Sequence, residues 1–315
     1  MLTVLVPVLA AVVGQQPGAN PAPEAGPSKP LGYVLGDERW HSDPEVLWPG
    51  FLSGLRGYEG FYNPVGNPCY FEPPTNESGV RFLYLRHTFP EGSVLGGGDL
   101  TIAAVQARLA ITERLAFIAT KDGYSWLDAD NLPEEEGWNA LSAGLKYVFY
   151  EDRESQTLAA VGFRYMFDTG DDDILQSGVQ ELSPFVSFAK GWGDLRLMAN
   201  VTDRIPFDGD DGNNILQWDI HADYEIAPGI APMIELHGLH YLMDGDRTEL
   251  PIGGLDYTNL GSTDVAGSTV ITLGFGGRIK LNPHASIGGV YEVPLTNKDA
   301  DIFNDRVVLD FMLTW

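Results

Sequence analysis

From Gly79 to the C-terminus the chain breaks into about twelve alternating apolar/polar segments, and the connections between them alternate as strictly between short and long. The segments read as strands over 79–89, 100–111, 114–124, 138–150, 156–168, 178–190, 194–204, 214–226, 230–243, 265–281, 284–294 and 305–315. Short connections fall at Thr112-Glu113, Glu151–Ser155, Gly191-Trp192-Gly193, Ala227-Pro228-Gly229 and Asn282-Pro283. Long ones fall at Pro90–Asp99, Ser125–Gly137, Thr169–Ser177, Ile205–Asn213, Asp244–Asp264 and Thr296–Asn304. A sandwich or propeller has no reason to keep that parity. An up-and-down meander does, with tight turns at one end, long loops at the other and both chain ends on the turn side. The expectation is an all-β fold: a transmembrane, up-and-down antiparallel β-barrel of about twelve strands, closed so that no sheet edge is left unpaired.

Strand periodicity assigns the faces, because successive side chains point to opposite sides. Leu145 and Leu273 fall on the outward, lipid-facing side, and their neighbours Gly144 and Thr272 on the inward one. In the last strand Trp315, Leu313, Phe311, Leu309 and Val307 share one face, with Thr314, Met312, Asp310 and Val308 on the other. An apolar face that ends on an aromatic ring resembles the C-terminal strand of bacterial outer-membrane proteins. That resemblance implies an assembly signal at Phe311, Leu313 and Trp315, read by the barrel-assembly machinery, and a place in the lipid of the bacterial outer membrane.

The region before the barrel has three parts. Residues 1–14 carry an apolar run, Leu2–Val13, of signal-peptide length and too short to span a bilayer as a helix. Residues 15–30 (QQPGANPAPEAGPSKP) form a Pro/Ala/Gly linker that cannot bury a core and is expected to be disordered. Residues 31–78 are rich in aromatics and proline, which forbids long helices or central strands. That irregular segment suits a periplasmic cap or a plug packed into the lumen; a loosely ordered leader is the other reading.

A net charge of −25 excludes a nucleic-acid binder. About half of the 44 acidic residues lie in the long connections, where they keep the outer rim soluble. The run Asp208-Gly-Asp-Asp-Gly-Asn213 loosely echoes a calcium loop but lacks its distal glutamate. Cys69 is the single cysteine, so there is no disulfide framework and no zinc site. No phosphate loop, dinucleotide fingerprint or nucleophile elbow is present, and no cofactor, metal or catalytic residue is expected. Barrel phospholipases need a His and a Ser two apart on one strand face, which this chain does not supply. Asp219-Ile-His221-Ala-Asp223 has the spacing of an omptin-like pair, but at mid-strand rather than at the rim.

The candidate functional residues therefore line the lumen. The inward positions include Arg108, Arg114, Lys146, Arg164, Arg196, Arg278, Glu292 and Asp310, with further acids at Glu181, Asp223 and Glu225. A second set comes from the hairpin at Ala227-Pro228-Gly229. If that turn pairs Ile226 with Ile230, His221 lies opposite Glu235 and Asp219 opposite His237, all four inward, with Cβ atoms about 4.5–5.5 Å apart across each pair. Such a cluster is either a charge-paired patch that narrows the lumen or a divalent-metal site.

The segment Arg108-Leu-Ala-Ile-Thr-Glu-Arg-Leu-Ala-Phe117, strand, tight turn and strand, resembles the hairpins of the outer-membrane barrel family named for the MetA pathway of phenol degradation. The resemblance covers roughly 80–315 and rests on meander layout and hairpin style. It implies a transporter for small solutes, including hydrophobic or aromatic compounds, through a narrow charge-lined or plugged lumen. The alternative is a sealed structural or adhesive barrel acting through its acidic outer loops.

Overall fold

The computed structural model describes residues 50–174, 176–296 and 302–315. The expected signal peptide, the linker and the first part of the aromatic segment (31–49) lie outside the described residues. Within them the strands are β1 (Gly79–Thr88), β2 (Gly98–Ala110), β3 (Leu115–Lys121), β4 (Tyr124–Ala129), β5 (Glu135–Trp138), β6 (Ser142–Asp152), β7 (Thr157–Met166), β8 (Glu181–Trp192), β9 (Leu195–Pro206), β10 (Asn214–Tyr224), β11 (Ile230–Met243), β12 (Thr269–Asn282), β13 (Ala285–Pro294) and β14 (Asp305–Thr314).

All pairings are antiparallel and, outside the stretch from β3 to β6, run between sequence neighbours; β1 closes the ring by pairing with β14 on one side and β2 on the other. The ring has twelve staves because two of them are broken. β2 pairs with β3 through Ala107–Ala110 and with β4 through Gly98–Ala103, so β3 and β4 continue one another across Asp122-Gly123. On the return, β4 pairs with β5 and β3 with β6, so β5 and β6 are likewise collinear.

That arrangement corrects the expected long loop Ser125–Gly137, which is mostly strand. Tyr124 lies opposite Trp138, with ring centroids 5.2 Å apart, and packs on Trp126 at 5.0 Å. Cross-strand aromatic pairs of this kind stabilise a hairpin enough to carry it past its neighbours. The remaining parity of short turns and long loops holds, with the turns at 111–114, 153–156, 193–194, 225–229 and 283–284.

The faces follow the alternation. In β14 Leu309, Phe311 and Leu313 are exposed on the outer surface, whereas Val308, Asp310 and Met312 are buried inside. A bulge between Val148 and Tyr150 interrupts the β6–β7 register and turns both Phe149 and Tyr150 outward. The outer surface is thus a band of apolar side chains. Rings gather near its two ends, with Tyr150, Trp192 and Tyr224 at the turn end and Trp126, Trp138, Phe167 and Phe207 at the loop end.

Two segments fill the interior. Residues 50–78 enter from the turn end and bury Tyr62, Val65, Asn67, Cys69, Tyr70, Phe71 and Glu72. The long connection after β11 folds inward from the loop end and buries Ile252, Leu255, Asp256, Tyr257, Asn259 and Leu260. The two inserts share one apolar cluster, with Val65, Cys69 and Tyr70 from the first and Tyr257 from the second.

Candidate functional site

The interior wall is charged, and its charges are ordered into pairs and clusters tied to one or both inserts. β2, β6 and β7 aim Arg108, Lys146 and Arg164 at one carboxylate, that of Glu72 on the first insert. Arg108 Nε and Nη2 donate to its two oxygens at 3.1 and 2.9 Å. Lys146 Nζ donates at 2.7 Å and Arg164 Nη2 at 3.2 Å. Glu72 and Lys146 are fully buried, as is Arg164, whose guanidinium stacks 4.5 Å from the Phe185 ring. Burial alone would raise the Glu72 carboxyl, but the three cations outweigh it and hold the group well below the usual carboxylate range.

Across the lumen, β10 and β11 present the histidine cluster in the register read from the sequence: Asp219 opposite His237 and His221 opposite Glu235. His221 Nδ1 lies 2.8 Å from Glu235 Oε1, and His237 Nδ1 lies 2.8 Å from Asp219 Oδ1. His221 Nε2 meets Asp223 Oδ2 at 3.0 Å. The first insert caps the cluster. The Val65 and Gly66 amides donate to the two oxygens of Glu235 at 2.9 and 2.7 Å, and Asn67 Nδ2 donates to Asp219 at 2.6 Å. A Cβ at Gly66 would lie 2.5 Å from Glu235 Oε2 and 2.6 Å from His237 Nε2, so any larger residue would have to displace those side chains. The cluster is thus a docking surface for the insert. Among the described residues no three His, Cys, Asp or Glu side chains converge to hold a metal ion.

Further pairs complete the wall. Arg278 grips Asp310 through two nitrogens at 2.8 and 2.7 Å, and Arg81 reaches the same carboxylate at 2.6 Å. Arg81 and Arg278 also donate to the Val65 and Asn63 carbonyls of the first insert. Glu181 accepts from Arg204 at 3.1 Å, from Tyr70 of the first insert at 2.9 Å and from Asn259 of the second at 3.3 Å. Arg204 in turn donates to the Leu255 carbonyl at 2.7 Å. Near the loop end Arg306 pairs with Asp256 at 2.6 Å and faces Glu292 at 3.6 Å. Burial disfavours the charged form of Asp256, yet Arg306 beside it lowers the carboxyl below its ordinary value.

Arg108, Lys146, Arg164, Arg196, Arg278, Glu292 and Asp310 thus all face inward and are largely shielded from solvent. Arg114 does not join them. It stands at the β2–β3 turn, its side chain 40% exposed, paired with Glu151 near the end of β6 at 3.2 Å. Its inward parity ends at the rim, where water takes the place of the lumen. Asn213, at the end of the acidic run, commits its side chain to the Ser262 and Met243 carbonyls.

Arg81, Arg204 and Arg306 are wall residues outside the expected set, although each falls in phase with the inward residues of its strand. Asp256 and Asn259 are also outside it; their signal is the apolar set Ile252, Leu255, Tyr257 and Leu260 around them in an otherwise acidic connection. Between the two inserts a void of about 10 Å³ remains, lined in part by Asn67, His237, Asp256, Glu292 and Arg306. That is about the space one water needs.

Solved structures with this architecture exist. An outer membrane channel from Pseudomonas putida F1 superposes with a TM-score of 0.57 at 13% identity, covering 81% of this chain and 100% of that one. The likeness is one of fold. The KdgM and NanC porins align at 11% identity over 75% and 76% of this chain and 99% of their own, each with a TM-score of 0.40. Scores that low add no argument. No family model matches the sequence, and no curated protein matches it significantly.

Proposed function

We propose that this chain is a bacterial outer-membrane channel for small solutes, held closed by its two inserts. The observation that carries the reading is the chemistry of the inner wall. A barrel needed only as a scaffold is filled most stably by apolar side chains, since buried ion pairs rarely repay their desolvation. Here the wall carries Arg81, Arg108, Lys146, Arg164, Arg204, Arg278 and Arg306, and the inserts bring polar groups to meet them. Withdrawing the inserts would leave a polar, charge-lined path rather than a collapsed core. The apolar outer band with rings near both ends supports a place in lipid, with the C-terminal strand as the segment read by the assembly machinery. The hairpin likeness to the MetA-pathway family favours hydrophobic or aromatic solutes.

The filled lumen favours a second reading, a sealed barrel acting through its acidic loops. Liposome swelling separates the two. Under the channel reading, protein lacking residues 50–78 makes vesicles permeable to small solutes, and the closed wild type does so far less. Under the sealed reading, vesicles with and without protein swell alike.

A further inference from the structure

Several wall cations meet carboxylates of the wall itself. Arg204 on β9 meets Glu181 on the adjoining β8, and Arg278 on β12 and Arg81 on β1 both meet Asp310 on β14. Arg108, Lys146 and Arg164 have no such wall partner. Among the described residues their ion pairs run only to Glu72, which the insert brings in. Three buried cations against one carboxylate exceed what anchoring a strap requires, and a surplus of buried charge is costly. In a chain of net charge −25 this is a local inversion of sign.

Resting on the channel reading, we propose that the Arg108–Lys146–Arg164 triad is a carboxylate-binding station on the solute path, and that Glu72 occupies it in the closed state in place of a solute's carboxylate. The geometry suits a planar two-oxygen anion. Arg108 meets Glu72 fork to fork, one nitrogen per oxygen, as guanidinium groups recognise carboxylates. The station is also under-filled, since Arg164 Nη1 is buried with no hydrogen-bond partner among the described residues. Lys146 turns its other donors to the Pro73 and Thr75 carbonyls of the same insert, at 2.9 and 2.6 Å. Withdrawal of that one segment therefore strips the triad of its carboxylate and its carbonyls together.

The surroundings select what the carboxylate is attached to. Phe185 lies against Arg164 and packs with Ala116 and Ile118 in a small apolar cluster. A cationic trio beside an aromatic face fits an organic acid with an apolar or aromatic body.

The test uses the full chain folded in detergent, as wild type and as Glu72→Ala, titrated calorimetrically with benzoate, neutral benzamide and inorganic phosphate. The expected result is saturable benzoate binding to Glu72→Ala at least tenfold tighter than to wild type. Benzamide and phosphate should bind at least tenfold more weakly than benzoate, and adding Lys146→Met should cost the benzoate affinity about tenfold. Equal benzoate affinity for wild type and Glu72→Ala, or benzamide or phosphate binding as tightly as benzoate, would overturn the assignment. If Glu72→Ala does not fold by itself, recovery of heat-modifiable gel mobility on refolding in benzoate supports the station, and failure to recover counts against it. Binding measured this way needs no conduction, so the station can fail while the channel reading stands, and the reverse.

Discussion

His221 on β10 and Glu235 on β11 face each other inside the barrel, ring nitrogen to carboxylate oxygen at 2.8 Å, and the same carboxylate accepts the Val65 and Gly66 amides of the insert. One glutamate therefore joins two staves of the wall to the segment that closes it.

The first prediction concerns that junction. Gly66→Ala would place a methyl group within 2.5–2.6 Å of Glu235 and His237. Overpacking of this kind costs about 1–3 kcal/mol. Because the barrel's own pairing is untouched, the expected outcome is selective loosening of the insert. Hydrogen exchange should speed up at Val65–Phe71 while the β10 and β11 amides stay protected; equal loosening of strands and insert would contradict the docking role.

The second tests the facing of the wall. Leu145 is exposed on the outer band, so Leu145→Arg should cost about 2–4 kcal/mol in a bilayer near its midplane. Thr272 points inward and hydrogen-bonds Glu292, so Thr272→Lys gains a partner and should cost less. Gly144 is also inward, but it cannot serve as the control, contrary to the expectation from face parity alone. A Cβ there would lie 1.8 Å from the Phe163 carbonyl oxygen, so backbone would have to move for any side chain. Denaturant titration in lipid vesicles gives the two costs.

The strand register and its facing were legible because both follow from local rules: alternation along each strand and tight turns of fixed parity. Ala227-Pro228-Gly229 alone set His221 against Glu235. The closed lumen was not legible in the same way. Glu72 meets residues on three different strands, a long-range choice with no periodic signature. The loop after β11 was read from its acids as solvated, whereas Ile252, Leu255 and Tyr257 made it an insert. Trp126 falls in the expected loop because the break at Asp122-Gly123 ends the alternation of β3 before β4 resumes it.

The third prediction is a pH dependence. The Glu72 carboxyl sits below its ordinary value of 4.5 in the closed state. A lowered acid contributes stability in full above that ordinary value and loses it as pH falls toward the lowered one. Closure should therefore hold from neutral pH down to about 5 and weaken progressively below about 4. Permeability of reconstituted vesicles should rise over that acid range, and Glu72→Gln should remove most of the step. A rise between pH 7 and 5 in wild type would point to a different group.

The fourth prediction addresses assembly. Phe311 stacks on Phe82 across the closing seam, with centroids 6.3 Å apart, and the Trp315 amide donates to the Ser78 carbonyl at the turn end. Replacing Phe311 and Trp315 together by Ser should sharply reduce outer-membrane insertion in cells. In vitro folding into detergent should survive, because the ladder between β1 and β14 remains. Normal surface display of the double variant would show that the C-terminal strand is not read as a signal.

Single-channel recording in planar bilayers bears most directly on the claim that the lumen is a solute path closed by its inserts. Wild-type protein should give small or infrequent openings, and a variant lacking residues 50–78 should give steady openings of larger conductance. Silence from both proteins, with heat-modifiable mobility proving each one folded, would contradict the account and leave a sealed barrel.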